Sequence, residues 1–316
     1  MSRSQSECFL GVDIGGTKIN IAIVDESGKI LASSSAKTPK DVLPARIIER
    51  VCAETEVLLR QQGTRADMLP YIGIGVPGTV DARGTVAFAP NLGWTGVPIS
   101  AEVQKHFDIP ILVAQDTRAA AVGEFVAGAG QGMQSIVCVT IGTGIGCGMI
   151  LNGKLYHGTN NACGELGHML SVIDGKNCAC GKRGCLEAYA SGTALRAAAE
   201  EVISEARPNA ALSKEKPSAE LVFQWAVKNN ERAKKALDET VMYLGVALTN
   251  VANLLAPDAI FISGGMSDQE ELLIQPLRQF IQTHAYRLTA EQIIVERAIL
   301  GQNAPVVGAA LLAKAI

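Results

Sequence analysis

The chain has 316 residues, 48% of them apolar, with a net charge of −3 and a pI near 5.9. That length holds two lobes and a sizeable core, and that apolar fraction excludes a disordered chain. Lysines and arginines are scattered, so no basic surface or tail for nucleic acid stands out.

The first seven residues are polar, and the apolar run after them contains Asp13. This excludes a signal peptide or a membrane span there and predicts a cytoplasmic protein. The eight cysteines then stay reduced, which favours metal binding over disulfides. Cys8, Cys52, Cys138 and Cys147 lie in apolar surroundings and are expected in the core.

Strands are predicted over 9–13, 19–24 and 30–35, the first hairpin carrying Asp13, Gly15, Gly16, Thr17 and Lys18 at its tip. Pro44 opens an amphipathic helix that ends near Gly63. A buried strand over 72–76 leads into the turn Pro77-Gly78-Thr79-Val80-Asp81, and Asn91-Leu-Gly93-Trp94 follows a short strand. Ser100 is expected to cap a helix through His106. The strand 111–114 exits through Gln115-Asp116-Thr117 into a helix over 118–126. Asp116 thus stands at the C-terminal end of a strand, where open α/β sheets gather ligands; an N-cap role is its alternative.

The second half repeats this order. A strand over 136–141, the loop Gly142-Thr143-Gly144-Ile-Gly146, a strand over 147–151, the turn at 152–154 and Leu155-Tyr156 match residues 9 to 35. Two duplicated lobes facing each other across a cleft are the expected layout. Glycine hairpins after strands let backbone N–H groups approach phosphate oxygens, and Gly264-Gly265 ends a third strand in the same way. Neither hairpin fits the Walker pattern or the dinucleotide fingerprint. Helices are predicted over 193–206, 218–229, 231–255, from Gln269, and over 304–314, with a strand at 293–295, a break at Pro208-Asn209 and a lysine-rich loop at 213–217.

Between these parts lies Gly164-Glu165-Leu-Gly-His168, a short gap, and Cys178-Ala-Cys180-Gly-Lys-Arg-Gly-Cys185-Leu-Glu187. Clustered thiolates repel one another unless a cation neutralises them, so Cys178, Cys180 and Cys185 read as zinc ligands. His168 is taken as the fourth, with Cys163 and His157 as alternatives. Four protein ligands leave no open position, so the metal is structural, and its job is to place Glu165 and Glu187.

The run from Gly164 to Glu187 resembles the signature of the ROK family of bacterial sugar kinases and sugar-responsive repressors. The likeness extends from Asp13-Ile-Gly-Gly-Thr-Lys18 through Gly142-Thr143-Gly144 to Ser263-Gly-Gly265. It implies an α/β, two-lobed actin-like (ribonuclease H-like) ATPase fold with an inserted zinc loop. The lobes are expected at 1–116 plus 304–316, and at 117–303 with the zinc loop and the helical region.

By the same resemblance, Gly15, Gly16, Thr17 and Lys18 flank the phosphates of ATP together with Gly142, Thr143 and Gly144, and Gly264 and Gly265 approach the adenosine. A solvated turn lysine is the alternative for Lys18. Asp13 serves Mg²⁺ through water. Asp116 is the base that accepts the hydroxyl proton. Gly78, Asn91, Asp116, Glu165, His168 and Glu187 hold the sugar, one ring nitrogen of His168 going to zinc and the other to a hydroxyl.

The implied reaction is phosphorylation of a hexose by ATP, glucose at O6 first, with N-acetylmannosamine, allose, fructose or an inositol as alternatives. A repressor is disfavoured, because the first phosphate strand begins near residue 8 and leaves no room for a helix-turn-helix domain. A homodimer or homotetramer is expected, with no nucleic-acid or membrane partner. Two departures bear on the sugar: Gln115 stands where many such kinases have asparagine, and Arg118 where they have a small or amide residue.

Overall fold

In the computed structural model the described residues are 7–40, 42–205 and 216–316. The N-terminal residues 1–6, the end of the 193–206 helix, the Pro208-Asn209 break and most of the 213–217 loop lie outside them. Internal packing divides the chain into two compact units. One comprises Met1–Cys138, Gly148–Gly164 and Ile299–Ile316, the other Val139–Cys147 and Glu165–Ala298.

The first unit is built on strands β1 (Cys8–Ile14), β2 (Lys18–Asp25), β3 (Ile30–Lys37), β4 (Ile72–Val76) and β8 (Ile111–Gln115), in the order β3-β2-β1-β4-β8. β1 and β2 are an antiparallel hairpin in which Asp13 pairs with Asn20. β4 runs parallel to both β1 and β8. Helix α1 (Pro44–Gln61) has proline in its first turn, where no N–H is needed. It buries Ile47, Ile48, Val51 and Leu58 in one core with Ile19, Ile21 and Ile23 of β2.

Between β4 and β8 come the small sheet β5 (Thr79–Val80), β6 (Val86–Ala89) and β7 (Trp94–Val97), and helix α2 (Ile99–Gln104). The small sheet was legible only in part, because strands of two to four residues are too short to display alternation. Ser100 is not a cap: the helix starts after Pro98, and the Ser100 hydroxyl donates instead to the carbonyl of Ile111 at 3.3 Å.

Helix α3 (Asp116–Ala127) leaves directly from β8. Its buried Glu124 accepts from the amides of Ala129 (3.1 Å), Ile299 (3.2 Å) and Leu300 (2.8 Å), which fixes the start of the C-terminal segment. α10, the final helix, covers Ala304–Ala310 and is followed by a 3-10 turn at Leu312–Lys314 rather than continuing as one helix. It lies against the β1/β4 face at backbone distance. A β-carbon on Gly11 would fall 2.0 Å from the Val306 carbonyl oxygen, and one on Gly73 1.8 Å from that of Ala309. Two glycines in adjacent strands therefore admit the helix.

The second five-stranded sheet comprises β9 (Ile136–Ile141), β10 (Ile145–Leu151), β11 (Lys154–Leu155), β12 (Ala259–Ser263) and β13 (Ile294–Arg297), ordered β11-β10-β9-β12-β13. This is the first sheet's order strand for strand, so the internal repeat read from the sequence is a repeat of topology.

In the second unit, the helices α4 (Glu187–Ala190), α5 (Gly192–Glu205), α6 (Ala219–Val227) and α7 (Glu231–Leu255) follow the cysteine-rich segment. Ser218 caps α6 by accepting from Leu221 N, and Asn230 caps α7 by accepting from Arg232 N and Ala233 N. A π-helical turn over Glu270–Ile274 runs into α8 (Gln275–His284), and α9 (Arg287–Gln292) is a short helix that the sequence pattern did not reveal. Cys52, Cys138 and Cys147 are buried, whereas Cys8 at the start of β1 is half-buried. No helix among the described residues is long and apolar enough to cross a membrane.

Candidate functional site

In the first unit, β1 delivers Asp13 to the tip end of its hairpin. Asn20 Nδ2, its partner across the hairpin, donates to Asp13 Oδ2 at 3.2 Å, and Ser35 Oγ on β3 donates to Asn20 Oδ1 at 2.9 Å. Asp13 lies in register with Gly75, and Gly75 with Ala114 of β8. A β-carbon on Gly75 would be 3.7 Å from the Asp116 α-carbon, so this position of β4 adjoins the start of α3. Burial, then the Asp116 charge, pushes Asp13 up to about 7, against the pull of the Asn20 hydrogen bond. A carboxyl so placed gains most from a cation, which fits a hard divalent ion such as Mg²⁺.

Asp116 is the first residue of α3, with Gln115 at the cap position. Its Oδ1 accepts from Thr117 N at 2.7 Å. Burial raises its pKa. Gly78 has φ +94°, and a β-carbon there would strike the Phe88 carbonyl oxygen at 2.2 Å, which makes that turn glycine-only. Asn91 is exposed in the turn before β7, its carbonyl oxygen 3.4 Å from the β-carbon position of Gly16, so it stands beside the tip of the first hairpin. Lys18 is exposed.

In the second unit, the loop Gly142, Thr143, Gly144 is held from one segment. Glu187 Oε2 accepts from Ile145 N at 2.9 Å, Gly192 N donates to Gly142 O at 2.7 Å, and Thr193 Oγ1 donates to Thr143 O at 2.7 Å. A β-carbon on Gly144 would lie 2.2 Å from Glu187 Oε2. Gly264, at φ +88°, places its β-carbon position 2.5 Å from Ile141 O, and Met266 N donates to that same oxygen at 3.2 Å. Gly264 and Gly265 therefore lie against the strand end from which this loop departs.

His168, Cys178, Cys180 and Cys185 converge, their ligand atoms all within 4.8 Å of one another. Cys180 Sγ and Cys185 Sγ are 3.7 Å apart, as are Cys178 Sγ and His168 Nδ1. Tetrahedral zinc with Zn–S bonds of about 2.3 Å requires S···S near ~3.8 Å and N···S near ~3.6 Å. The four residues fit zinc, and Nδ1 is the ring nitrogen on the thiol side. Cys163 is not in this group: its thiol donates to Tyr156 O at 2.8 Å. Gly181 and Gly184 turn the loop at φ +85° and +78°, and the Tyr189 phenol accepts from Lys176 N at 2.6 Å, tying the loop to α4. Glu165 is exposed just before the 3-10 turn Leu166–His168, where His168 N donates to Glu165 O at 3.0 Å.

Asp13, Gly15, Gly16, Thr17, Lys18, Gly78, Asn91 and Asp116 thus belong to the first unit. Gly142, Thr143, Gly144, Glu165, His168, Glu187, Gly264, Gly265 and the three thiols belong to the second. Sequence reasoning passed over Asn20, Ser35, Thr193 and the contact of Glu187 with the glycine loop. Hairpin register could have found Asn20, which faces Asp13 across a four-residue tip. The others join segments distant in the chain and leave no local signal.

The chain is 34% identical to a glucokinase of Halalkalibacterium halodurans, over 97% of this chain and 94% of that protein. It is 30% identical to the xylose repressor of Bacillus subtilis, over 95% of this chain and 75% of that protein. Among solved structures, a ROK family glucokinase from Streptomyces griseus in complex with glucose and AMPPNP superposes with a TM-score of 0.81 at 34% identity, covering 96% of this chain and 98% of that one. The duplicated sheets are those of the actin-like ATPase fold. The ROK family model matches residues 9–316, and the chain belongs to that family.

Proposed function

We propose that this protein transfers the γ-phosphoryl group of ATP to the 6-hydroxyl of glucose. The observation that supports this most is Asp116: a half-buried carboxylate in the first turn of α3, raised in pKa by burial, beside the acidic end of β1. Phosphoryl transfer requires little covalent help beyond a base, positioned phosphates and charge neutralisation.

In this reading Asp116 accepts the proton of the attacking hydroxyl as the oxygen bonds to the γ-phosphorus and the bond to the β-bridging oxygen breaks, releasing ADP. Backbone amides of Gly15 to Lys18 and Gly142 to Gly144 receive the phosphates, and Gly264-Gly265 receives the adenosine. Asp13, oriented by Asn20, holds Mg²⁺ through water, and that ion neutralises phosphate charge when bound. Asn91, Glu165, His168 and Glu187 receive sugar hydroxyls, with Gly78 contributing backbone. His168, Cys178, Cys180 and Cys185 hold zinc, which stiffens the loop between Glu165 and Glu187.

The same reading makes the protein cytoplasmic, and a homodimer or homotetramer whose mass light scattering would measure. A sugar-responsive regulator is the second reading, favoured by the likeness to the xylose repressor. A coupled ADP-release assay against glucose, mannose, fructose, allose, N-acetylmannosamine and an inositol separates them. Turnover with glucose ranked first is expected. Sugar binding without ADP release would overturn the kinase reading, and a different first-ranked sugar would overturn glucose.

A further inference from the structure

We propose that Arg118 is a positioning residue of the sugar site, pinning the loop 156–163 so that the chain enters Glu165 at a fixed place; this rests on the kinase reading, in which Glu165 receives sugar hydroxyls. Arg118 lies two residues beyond Asp116 on α3 and is 3% exposed. Its Nη2 donates to the carbonyls of Asn161 and Cys163, each at 2.8 Å. Its Nε is buried with no hydrogen-bond partner among the described residues.

The loop that it holds has neither helix nor strand. Tyr156 at its start is exposed, and Ala162 is exposed at its far side. Its ties include the Cys163 thiol on Tyr156 O at 2.8 Å, Ala162 N on Asn160 Oδ1 at 3.3 Å and Tyr156 N on Met149 O at 2.9 Å. A β-carbon on Gly158 would stand 3.1 Å from that of Cys163, so the loop closes on itself, and none of its residues is fully buried. With so little burial, polar contacts set its shape, and the guanidinium donates to two of its carbonyls.

A cation this dry is costly unless its donors meet acceptors, which makes the two carbonyls the condition for burying Arg118 at all. His157, in the same loop, is lowered in pKa by burial and then by the Arg118 charge, so it stays neutral and adds no repulsion. From the pinned Cys163 carbonyl the backbone passes through Gly164, at φ +76°, to Glu165. One residue separates the anchor from the carboxylate, too little chain to absorb a displacement. Gln115, Asp116 and Arg118 lie together at the start of one helix.

The test compares wild type with Arg118→Lys and Arg118→Met. It measures steady-state kinetics, calorimetric glucose binding, zinc content and amide exchange in the loop. Methionine matches the length and removes the donors; lysine keeps the charge and a donor head on a shorter reach. Arg118→Met should raise the KM and Kd for glucose by about ten- to a hundredfold, with kcat at saturating glucose held within about threefold. The KM for ATP and the zinc content should not change. Arg118→Lys should fall between, and exchange of the 157–163 amides should quicken in the same order. Unchanged glucose affinity, a parallel rise in the KM for ATP, or equal behaviour of the two variants would overturn the proposal. A working wild type matched by its variants removes only this role of Arg118, whereas a wild type that turns over no hexose removes the kinase reading itself.

Discussion

Asp13 and Asp116, at the ends of two strands separated by β4, act on each other: after burial, the Asp116 charge is the main influence raising Asp13, to about 7. Two acids in one low-dielectric neighbourhood resist being charged together, and a cation relieves that conflict. In the proposed reading, Mg²⁺ held at Asp13 would supply that cation.

Asp13→Asn should therefore stabilise the free protein while abolishing Mg²⁺-ATP turnover. The folded pKa lies above the unfolded value, so the native state binds the proton more tightly, and stability is lost as pH rises from about 4 through about 7. At pH 8 the amide should raise the melting temperature by about 2 to 4 °C, and near pH 4 the gain should vanish. Thermal melts of both proteins across pH check this; a gain that is equal at both pH values would contradict it.

Asp116→Asn should lower kcat by about two to four powers of ten with glucose affinity and zinc content retained, because the amide keeps shape and loses basicity. In the proposed role Asp116 works only when deprotonated, and burial raises its pKa, so wild-type kcat/KM should fall on the acid side at a pH above the usual aspartate range. Rapid-quench measurement of the residual rate in the variant is the check, and a variant with most of its turnover intact would remove Asp116 from the role.

Glu187 has one contact in the structure and a second task in the kinase reading, and substitutions can separate them. Its Oε2 accepts from Ile145 N at 2.9 Å, so it supports the glycine loop, and in the proposed reading it also receives a sugar hydroxyl. Glu187→Gln keeps an acceptor and should raise the KM for glucose by about tenfold with little change for ATP; Glu187→Ala should raise both. Identical effects of the two changes on the KM for ATP would show that the Ile145 contact is unimportant.

Metal analysis should find one zinc per chain, held by His168, Cys178, Cys180 and Cys185. Cys180→Ser, or a strong chelator, should remove it and weaken glucose binding while leaving nucleotide binding in place. Stoichiometric zinc in His168→Ala would mean that another group completes the set. Cys163, bonded to Tyr156 O, would have to leave its loop to do so.

What the sequence determined by itself was whatever depends on near neighbours in the chain. The hairpin glycines, Pro44 at a helix start, the thiol spacing and the repeated strand–loop–strand order are local turn chemistry and periodicity, and each is found where that chemistry puts it. Short elements such as β5, β7 and α9 lacked enough residues to show a period.

Only tertiary structure decided the contacts between distant segments. Packing buried Arg118 and set its guanidinium against the carbonyls of Asn161 and Cys163, and it brought Glu187 against Ile145 and α10 against Gly11 and Gly73. Parallel pairing through β4 brought Asp13 and Asp116 into one field. The reason is physical: a side chain's charge, burial and hydrogen-bond partners depend on what packs around it, and packing joins residues whose order along the chain carries no record of the meeting.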